Sequence, residues 1–304
     1  MWTGYGGSSG WPPVPVDRMV SSVLDDVLPY LTCPTCASDL SLAGSAVRCP
    51  RAHTFDVAKQ GYLNLVSAKS AGISGDTPAM VEARARFQSA GHFAPVVGAV
   101  VTAAQRATVD RPAGCVVDIG AGVGHYLAPV LDALPGRVGL ALDVSKAALR
   151  RAARAHVRAG AIGCDTWHGL PVRSGSVAVA LSIFAPRNPA EVHRVLGPGG
   201  VLIVVSPTAR HLVELVWKLS LLKVEPEKRD KIEAAIAPYC QLSSEDDWEF
   251  TMSLSHKDID AVVAMGPSAW HTNPAVLRER VRELEEPMPV TASVVVSTYR
   301  RRPE

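Results

Sequence analysis

Two stretches of the chain carry residues whose types and spacing could do chemistry. The first is Cys33-Pro34-Thr35-Cys36 followed by Cys49-Pro50-Arg51-Ala52-His53. Two thiols two residues apart form one knuckle of a tetrahedral site. Cys49 and His53 form the other, reached through a short hairpin over residues 40–47. Such soft and borderline ligands suit Zn2+, and a small module with little core of its own needs the metal to fold. No βαβ pattern surrounds the Cys-x-x-Cys, which argues against a redox motif. With no open coordination position, the metal reads as structural. Cys115, Cys164 and Cys240 lie in or beside apolar runs and read as buried thiols.

The second stretch is Cys115-Val116-Val117-Asp118-Ile119-Gly120-Ala121-Gly122-Val123-Gly124-His125. An apolar run, a loop with glycine at alternate positions and a helical pattern from Tyr126 to Leu134 spell strand, tight turn, helix. The bare loop lets a ligand approach the backbone, and the helix start offers free N–H groups to an anion. A second strand, Val138 to Leu142, stops at Asp143, about twenty residues past the loop, where a carboxylate can accept both hydroxyls of a ribose. This suggests a nucleoside-containing cofactor, the plain alternative being a glycine-rich turn in some other α/β domain. The dinucleotide fingerprint Gly-x-Gly-x-x-Gly is not met, because Gly124 comes one residue early and His125 fills the expected place.

A chain of 304 residues with 47% apolar content can bury a sizeable core. The net charge of +2 argues neither for nor against nucleic acid. No apolar run is long enough to span a bilayer, and Met1 to Pro15 lacks the pattern of a signal peptide, so a cytoplasmic protein with reduced thiols and no membrane partner is expected. The expected organisation is a leader over 1–30, flexible with a short amphipathic helix from Val20 to Tyr30; a zinc module over 31–70; a helical linker over 71–110; and a catalytic domain over 111–304. Asp76-Thr77-Pro78 reads as a helix start, and a further helix runs from Ala94 to about Thr108. Strands are expected at Ala161–Asp165, Val177–Phe184, Val201–Val205, Trp248–Leu254 and Pro289–Tyr299, with helices around 212–222, 225–237, 259–264 and 274–284.

The D-x-G-x-G-x-G pattern resembles the S-adenosylmethionine loop of class I methyltransferases. Cys-Pro-x-Cys, Cys-x-x-x-His, Phe55-Asp-x-Ala-Lys-x-Gly-Tyr62, Gly75-Asp-x-x-x-Met80 and Ala83-Arg-x-x-Phe-x-x-x-Gly-His92, in this order ahead of that loop, resemble the 23S ribosomal RNA guanine-N1 methyltransferases. The resemblance continues through Leu142-Asp-Val-Ser-Lys146, Phe184-Ala-Pro-Arg-Asn-Pro189, Arg194-Val-Leu-x-Pro-Gly-Gly200, His211-Leu-x-Glu-Leu215 and Met265-Gly-Pro-Ser-x-Trp270. The Phe184 and Met265 motifs look most like the actinobacterial branch that protects producer ribosomes from tylosin- or mycinamicin-type macrolides.

The resemblance implies an α/β fold, a Rossmann-like seven-stranded sheet with an N-terminal zinc module. It implies S-adenosyl-L-methionine as cofactor beside structural zinc, and as partner a 23S rRNA hairpin near the peptide exit tunnel. A small natural product as substrate and a non-catalytic RNA-binding protein are the rivals; a homodimer is open. Cofactor contacts are carried over to Phe93, Asp118, Gly120, Gly122, Gly124, Tyr126, Leu127, Asp143, Asp165 and His211. The target pocket falls to Phe184, Pro186, Arg187 and Asn188, a segment without an acid, so no catalytic base is named. Arg150, Arg154 and Arg158 stand at four-residue spacing, with Arg151 nearby, and read as one helix face that could contact phosphates; a solvated outer face is favoured.

Overall fold

A computed structural model describes residues 23–66, 75–109, 114–225, 227–266 and 274–303. Residues 1–22 of the expected leader, 67–74 and 267–273 lie outside these residues; the leader's remaining part, 23–30, is not flexible, because Leu24, Val27 and Leu28 are buried against the sheet.

Residues 23–27 form helix α1. The next segment carries three short strands, β1 (Ser41–Ala43), β2 (Ala46–Arg48) and β3 (Thr54–Asp56), which make an antiparallel sheet, and then β4 (Leu63–Asn64). Two helices lead to the main sheet. In α2 (Pro78–Ser89) the Thr77 side chain accepts from Met80 N at 3.3 Å and proline occupies the first turn. α3 (Ala94–Thr108) follows after Phe93.

The main sheet alternates strands and helices: β5 (Cys115–Ile119), α4 (Leu127–Ala133), β6 (Gly139–Asp143), α5 (Lys146–Ala152), β7 (Ala159–Gly163), β8 (Val177–Ile183), α6 (Pro189–Val195) and β9 (Leu196–Pro207). The chain closes with α7 (Val213–Leu219), α8 (Lys228–Ile236), β10 (Cys240–Leu254), α9 (His256–Ala264), α10 (Pro274–Arg282) and β11 (Met288–Arg301). Strand order is β10-β11-β9-β8-β5-β6-β7-β4, with β11 antiparallel to both neighbours and the pairs from β9 to β4 parallel. β5, β6 and β7 are near-continuous apolar runs because helices or the zinc module cover both faces. Alternate residues feed two cores. Val116, Leu181 and Ile203 pack on one face with Phe87, Val100 and Leu131; Val117, Leu140 and Leu202 pack on the other with Val27, Val47 and Leu63. From β5 the sheet grows one way to β6 and the other way to β8, and this reversal opens the crevice where open α/β sheets bind ligands.

Several expectations change. The seven-stranded sheet has an eighth strand, because β4 lies parallel along β7, with Leu63 opposite Ile162 and Leu65 N donating to Gly163 O at 2.7 Å. Two residues are too few for a periodicity to announce a strand. β7 starts and ends two residues earlier than expected, which leaves Asp165 in the following loop. β10 begins at Cys240 rather than Trp248; its outer edge carries Glu245, Asp246, Asp247 and Glu249, charges that discourage edge-to-edge pairing.

The arginine row is not one helix face. α5 stops at Ala152 so that the chain can return into β7, and Gly139 N takes Arg158 O at 2.8 Å. The Arg158 side chain instead caps carbonyls at the end of α4, including Leu134 O at 3.0 Å. Arg151 pairs with Glu82, and Arg150 and Arg154 line the same cleft.

Candidate active site

β5 delivers the chain into the loop, where Gly120, Gly122 and Gly124 all have positive φ. At Gly120 the need is steric as well: a Cβ there would stand 2.7 Å from Ala185 Cβ. Asp143, at the end of β6, accepts from Gly122 N and from Ser145 N, each at 2.8 Å and on separate oxygens. It therefore fixes the loop and the start of α5 together. Burial pushes its pKa up, and the two amide donors oppose the shift.

Asp118 is buried inside β5, and its Oδ2 has no hydrogen-bond partner among the described residues. Burial, with the Asp143 charge nearby, raises its pKa to about 7. Tyr126 Oη, just past the loop, is also buried and has no partner among the described residues; burial and then the Asp118 charge push its pKa up. Leu127 is 1% exposed and packs under Gly139, so its side chain belongs to the core rather than to the site. Asp165 accepts from Trp167 N at 2.9 Å and pairs with His168 Nδ1.

Phe93, Phe184 and His211 meet with ring centroids 5.8–5.9 Å apart. Phe184 sits directly after β8 at φ +52°. His211 Nδ1 accepts from Ser293 N at 3.2 Å, so the proton of the neutral ring lies on Nε2. Burial, helped by Lys228, lowers its pKa to about 4. The three rings line a cavity of about 520 Å³. A second cavity of about 460 Å³, lined by Trp167, Pro186 and Arg187, shares Phe184, Pro207, Glu225 and Lys228 with the first. Asn188 lines neither: its Oδ1 accepts from Glu191 N at 3.4 Å as the cap of α6, and its Nδ2 donates to Trp167 O at 3.0 Å.

Two residues that sequence reasoning did not single out hold the loop from above. Arg84 donates to Asp76 Oδ2 through Nε at 3.1 Å and Nη2 at 2.7 Å, and Nη2 also reaches Met265 O at 2.9 Å. A Cβ on Gly122 would stand 3.3 Å from Arg84 Cδ. Ser145 Oγ donates to Asp76 O at 2.7 Å, tying this pair to the residue that follows the Asp143 corner. Asp76 and Arg84 each stand in one of the motifs that carry the family resemblance, so a signal was there.

The four predicted metal ligands come together. Cys33 Sγ is 3.6 Å from His53 Nδ1, Cys36 Sγ is 3.7 Å from Cys49 Sγ, and Cys49 Sγ is 3.3 Å from His53 Nδ1. A tetrahedron with Zn–S of about 2.3 Å and Zn–N of about 2.0–2.1 Å has S–S edges of about 3.8 Å and S–N edges of about 3.6 Å. The quartet fits that ion. Each knuckle turns through an alanine at positive φ, Ala37 and Ala52. The Ser38 hydroxyl and backbone favour the Cys36 thiolate and bring its pKa to about 6. The module is anchored to the sheet by Thr32 N on Pro171 O at 3.0 Å and by Arg173 Nη2 on Asp39 Oδ1 at 2.7 Å.

Residues 31–70 match a zinc-ribbon family model described as RlmA, N-terminal. A Micromonospora griseorubida protein named as a 23S rRNA (guanine-N(1)-)-methyltransferase is 48% identical over 291 residues, 90% of this chain and 98% of that one. The 23S rRNA (guanine(748)-N(1))-methyltransferase of Streptomyces fradiae is 45% identical over 91% of this chain and 99% of its own. A Bacillus subtilis protein of the same description, YxjB, is 28% identical over 84% of this chain and 90% of its own.

Proposed function

The chain belongs to the family of 23S rRNA (guanine-N1)-methyltransferases, and from that premise we propose how its residues divide the work of methylating N1 of a guanine. It is an S-adenosylmethionine-dependent enzyme with a structural zinc site. When bound, the donor supplies a methyl group already activated by its sulfonium.

The loop suits that donor on one physical ground. Asp118 Oδ2 and Tyr126 Oη are buried polar atoms lacking partners among the described residues, and a methionine ammonium brings the N–H groups the carboxylate lacks. In this reading Asp118 holds the ammonium and Gly120, Gly122 and Gly124 leave the main chain bare. Asp143 takes the ribose hydroxyls on lone pairs that its two amide donors leave free. Asp165 receives the adenine amino group, and Leu127 contributes its backbone alone.

Phe93 and His211, expected beside the cofactor, instead join Phe184 around the cavity that we assign to the flipped guanine, with the ring of the neutral His211 packed against the base. Guanine N1 carries a proton that has to leave. Glu225 is the one carboxylate among the residues lining this cavity, and we assign it the relay of that proton to water.

The observation that carries the reading is the abutment of the bare loop on the aromatic cavity: Gly120 meets Ala185, whose neighbour Phe184 forms the cavity wall. Donor and base are thereby held side by side, and placement in line is the main demand of methyl transfer. A hairpin near the peptide exit tunnel as target, macrolide resistance as the benefit and the homodimer belong to the same proposal. Mass mapping of rRNA from cells with and without the gene tests it: one additional N1-methylguanosine in 23S rRNA is expected. Unchanged rRNA alongside a methylated small metabolite would overturn it.

A further inference from the structure

The second cavity, on the far side of Phe184, gathers more cations than acids: Arg187, Lys228 and Lys231 line it against Glu225. Arg187 is partly buried, and its guanidinium donates to two neutral acceptors, Ser182 Oγ at 3.0 Å and Ala185 O at 2.7 Å. Lys228, on the first turn of α8, is exposed and lines the same cavity; desolvation and the Arg187 charge lower its pKa while Glu225 opposes the shift, and burial lowers that of Arg187. Among the described residues neither makes an ion pair with a carboxylate. The acid in the wall, Glu225, is bonded to Lys231 at 2.8 Å. A partly buried guanidinium held by neutral acceptors alone is costly, since buried charges are ordinarily paired. With Lys228 and Lys231 beside it, the excess of positive charge suits an anion from outside.

Its other wall says what the anion is attached to. Trp167 is 56% exposed, yet its backbone is fixed on both sides, N to Asp165 Oδ1 at 2.9 Å and O to Asn188 Nδ2 at 3.0 Å. An exposed indole on a rigid mount is a stacking platform for a planar base. Phe184, 37% exposed, separates this space from the cavity assigned to the guanine, and both cavities share Pro207 and Lys228. We propose that this second cavity receives the nucleotide adjacent to the target guanine, its phosphate between Arg187 and Lys228 and its base against Trp167. The inference rests on the reading of the protein as an RNA guanine-N1 methyltransferase and adds a subsite to it.

The test uses the full-length, zinc-replete enzyme and hairpin RNAs containing the target guanine, with a neutral methylphosphonate replacing the phosphate on its 5′ or its 3′ side. Methyl transfer is followed at two salt concentrations for the wild type, Lys228→Met and Trp167→Ala. One of the two replacements should raise the wild-type KM about tenfold with kcat nearly unchanged, the size of one lost charge-assisted contact. Lys228→Met should show the same rise on unmodified RNA and no further rise with the methylphosphonate. Its salt dependence should be shallower by about 0.7–0.9 in log–log slope. Trp167→Ala should raise KM, and Trp167→Phe should recover part of the loss.

Normal KM on both methylphosphonate RNAs would overturn the subsite while leaving RNA methylation standing. So would a full additional methylphosphonate penalty in Lys228→Met. If that variant failed to fold, the wild-type comparison alone would decide. A wild type that methylates no hairpin at all removes the functional reading, and this inference with it.

Discussion

Replacing Asp118 by asparagine should stabilise the cofactor-free protein at alkaline pH while crippling donor binding. The native carboxylate titrates at about 7, against 3.8 for the ordinary side chain, because it is buried without a donor on Oδ2. Between those values the folded state holds a proton that the unfolded state has released, so stability declines as pH rises through this window and the loss is complete above the folded pKa. A difference of about three pH units is worth roughly 4 kcal/mol at pH 8. About 2 kcal/mol of that accrues between pH 5.5 and 8. Asparagine carries no charge but brings N–H donors that would be unmet at about 1–3 kcal/mol. The net gain at pH 8 is then about 1–3 kcal/mol, or roughly 2–6 °C in Tm taking about 2 °C per kcal/mol for a chain of this length. Thermal melts of zinc-replete wild type and variant at pH 5.5 and 8 would measure it, each with and without S-adenosylhomocysteine. The wild type should weaken toward pH 8 more than the variant does, and only the wild type should gain strongly from the ligand, releasing a proton as it binds near pH 7. Parallel pH dependences in the two proteins, or equal ligand stabilisation, would refute the reasoning.

Other outcomes follow from the same geometry. Asp143→Ala frees Gly122 N and Ser145 N and should weaken donor binding at least about tenfold by calorimetry, with zinc content unchanged. Cys36→Ser should lose the metal and, because Leu31, Val47 and Leu63 share a core with the main sheet, lower both the melting temperature and donor affinity; full affinity in the metal-free variant would argue against that coupling. His211, held near pKa 4 by burial, stays neutral in the working range, so His211→Asn should slow turnover without removing a limb from the pH–rate profile between 5.5 and 8. Its effect on stability has the opposite sign to that of Asp118: the contribution is present above 6.5 and is lost as pH falls toward 4.

How much of this was legible in the sequence depends on whether a residue's partners are local. The zinc quartet could be read outright, since the coordination geometry itself dictates Cys-x-x-Cys and Cys-x-x-x-His. β5, β6 and β8 declared themselves through runs buried on both faces, and the glycine loop through residues that only a sharp turn needs. β10 was half hidden because Ser244 to Asp247 reads as a polar loop; only pairing along β11 makes it a strand. Arg150, Arg154 and Arg158 looked periodic, but a helix end is set by where the next strand must begin. Trp167 and Lys228 carry no local mark of function: strands and helices far apart in the chain bring them to the rim.

The two-residue strand β4 is a small feature with a wide reach. Leu65 N holds Gly163 O at 2.7 Å, and the next residue, Cys164, holds Asp143 O at 3.0 Å through its own N–H. A continuous ladder thus runs from the ribbon's tail to the acid that clamps the glycine loop. Stripping the ribbon of its metal should therefore be felt at the methyl-donor pocket, as looser seating of the acid at the end of that ladder.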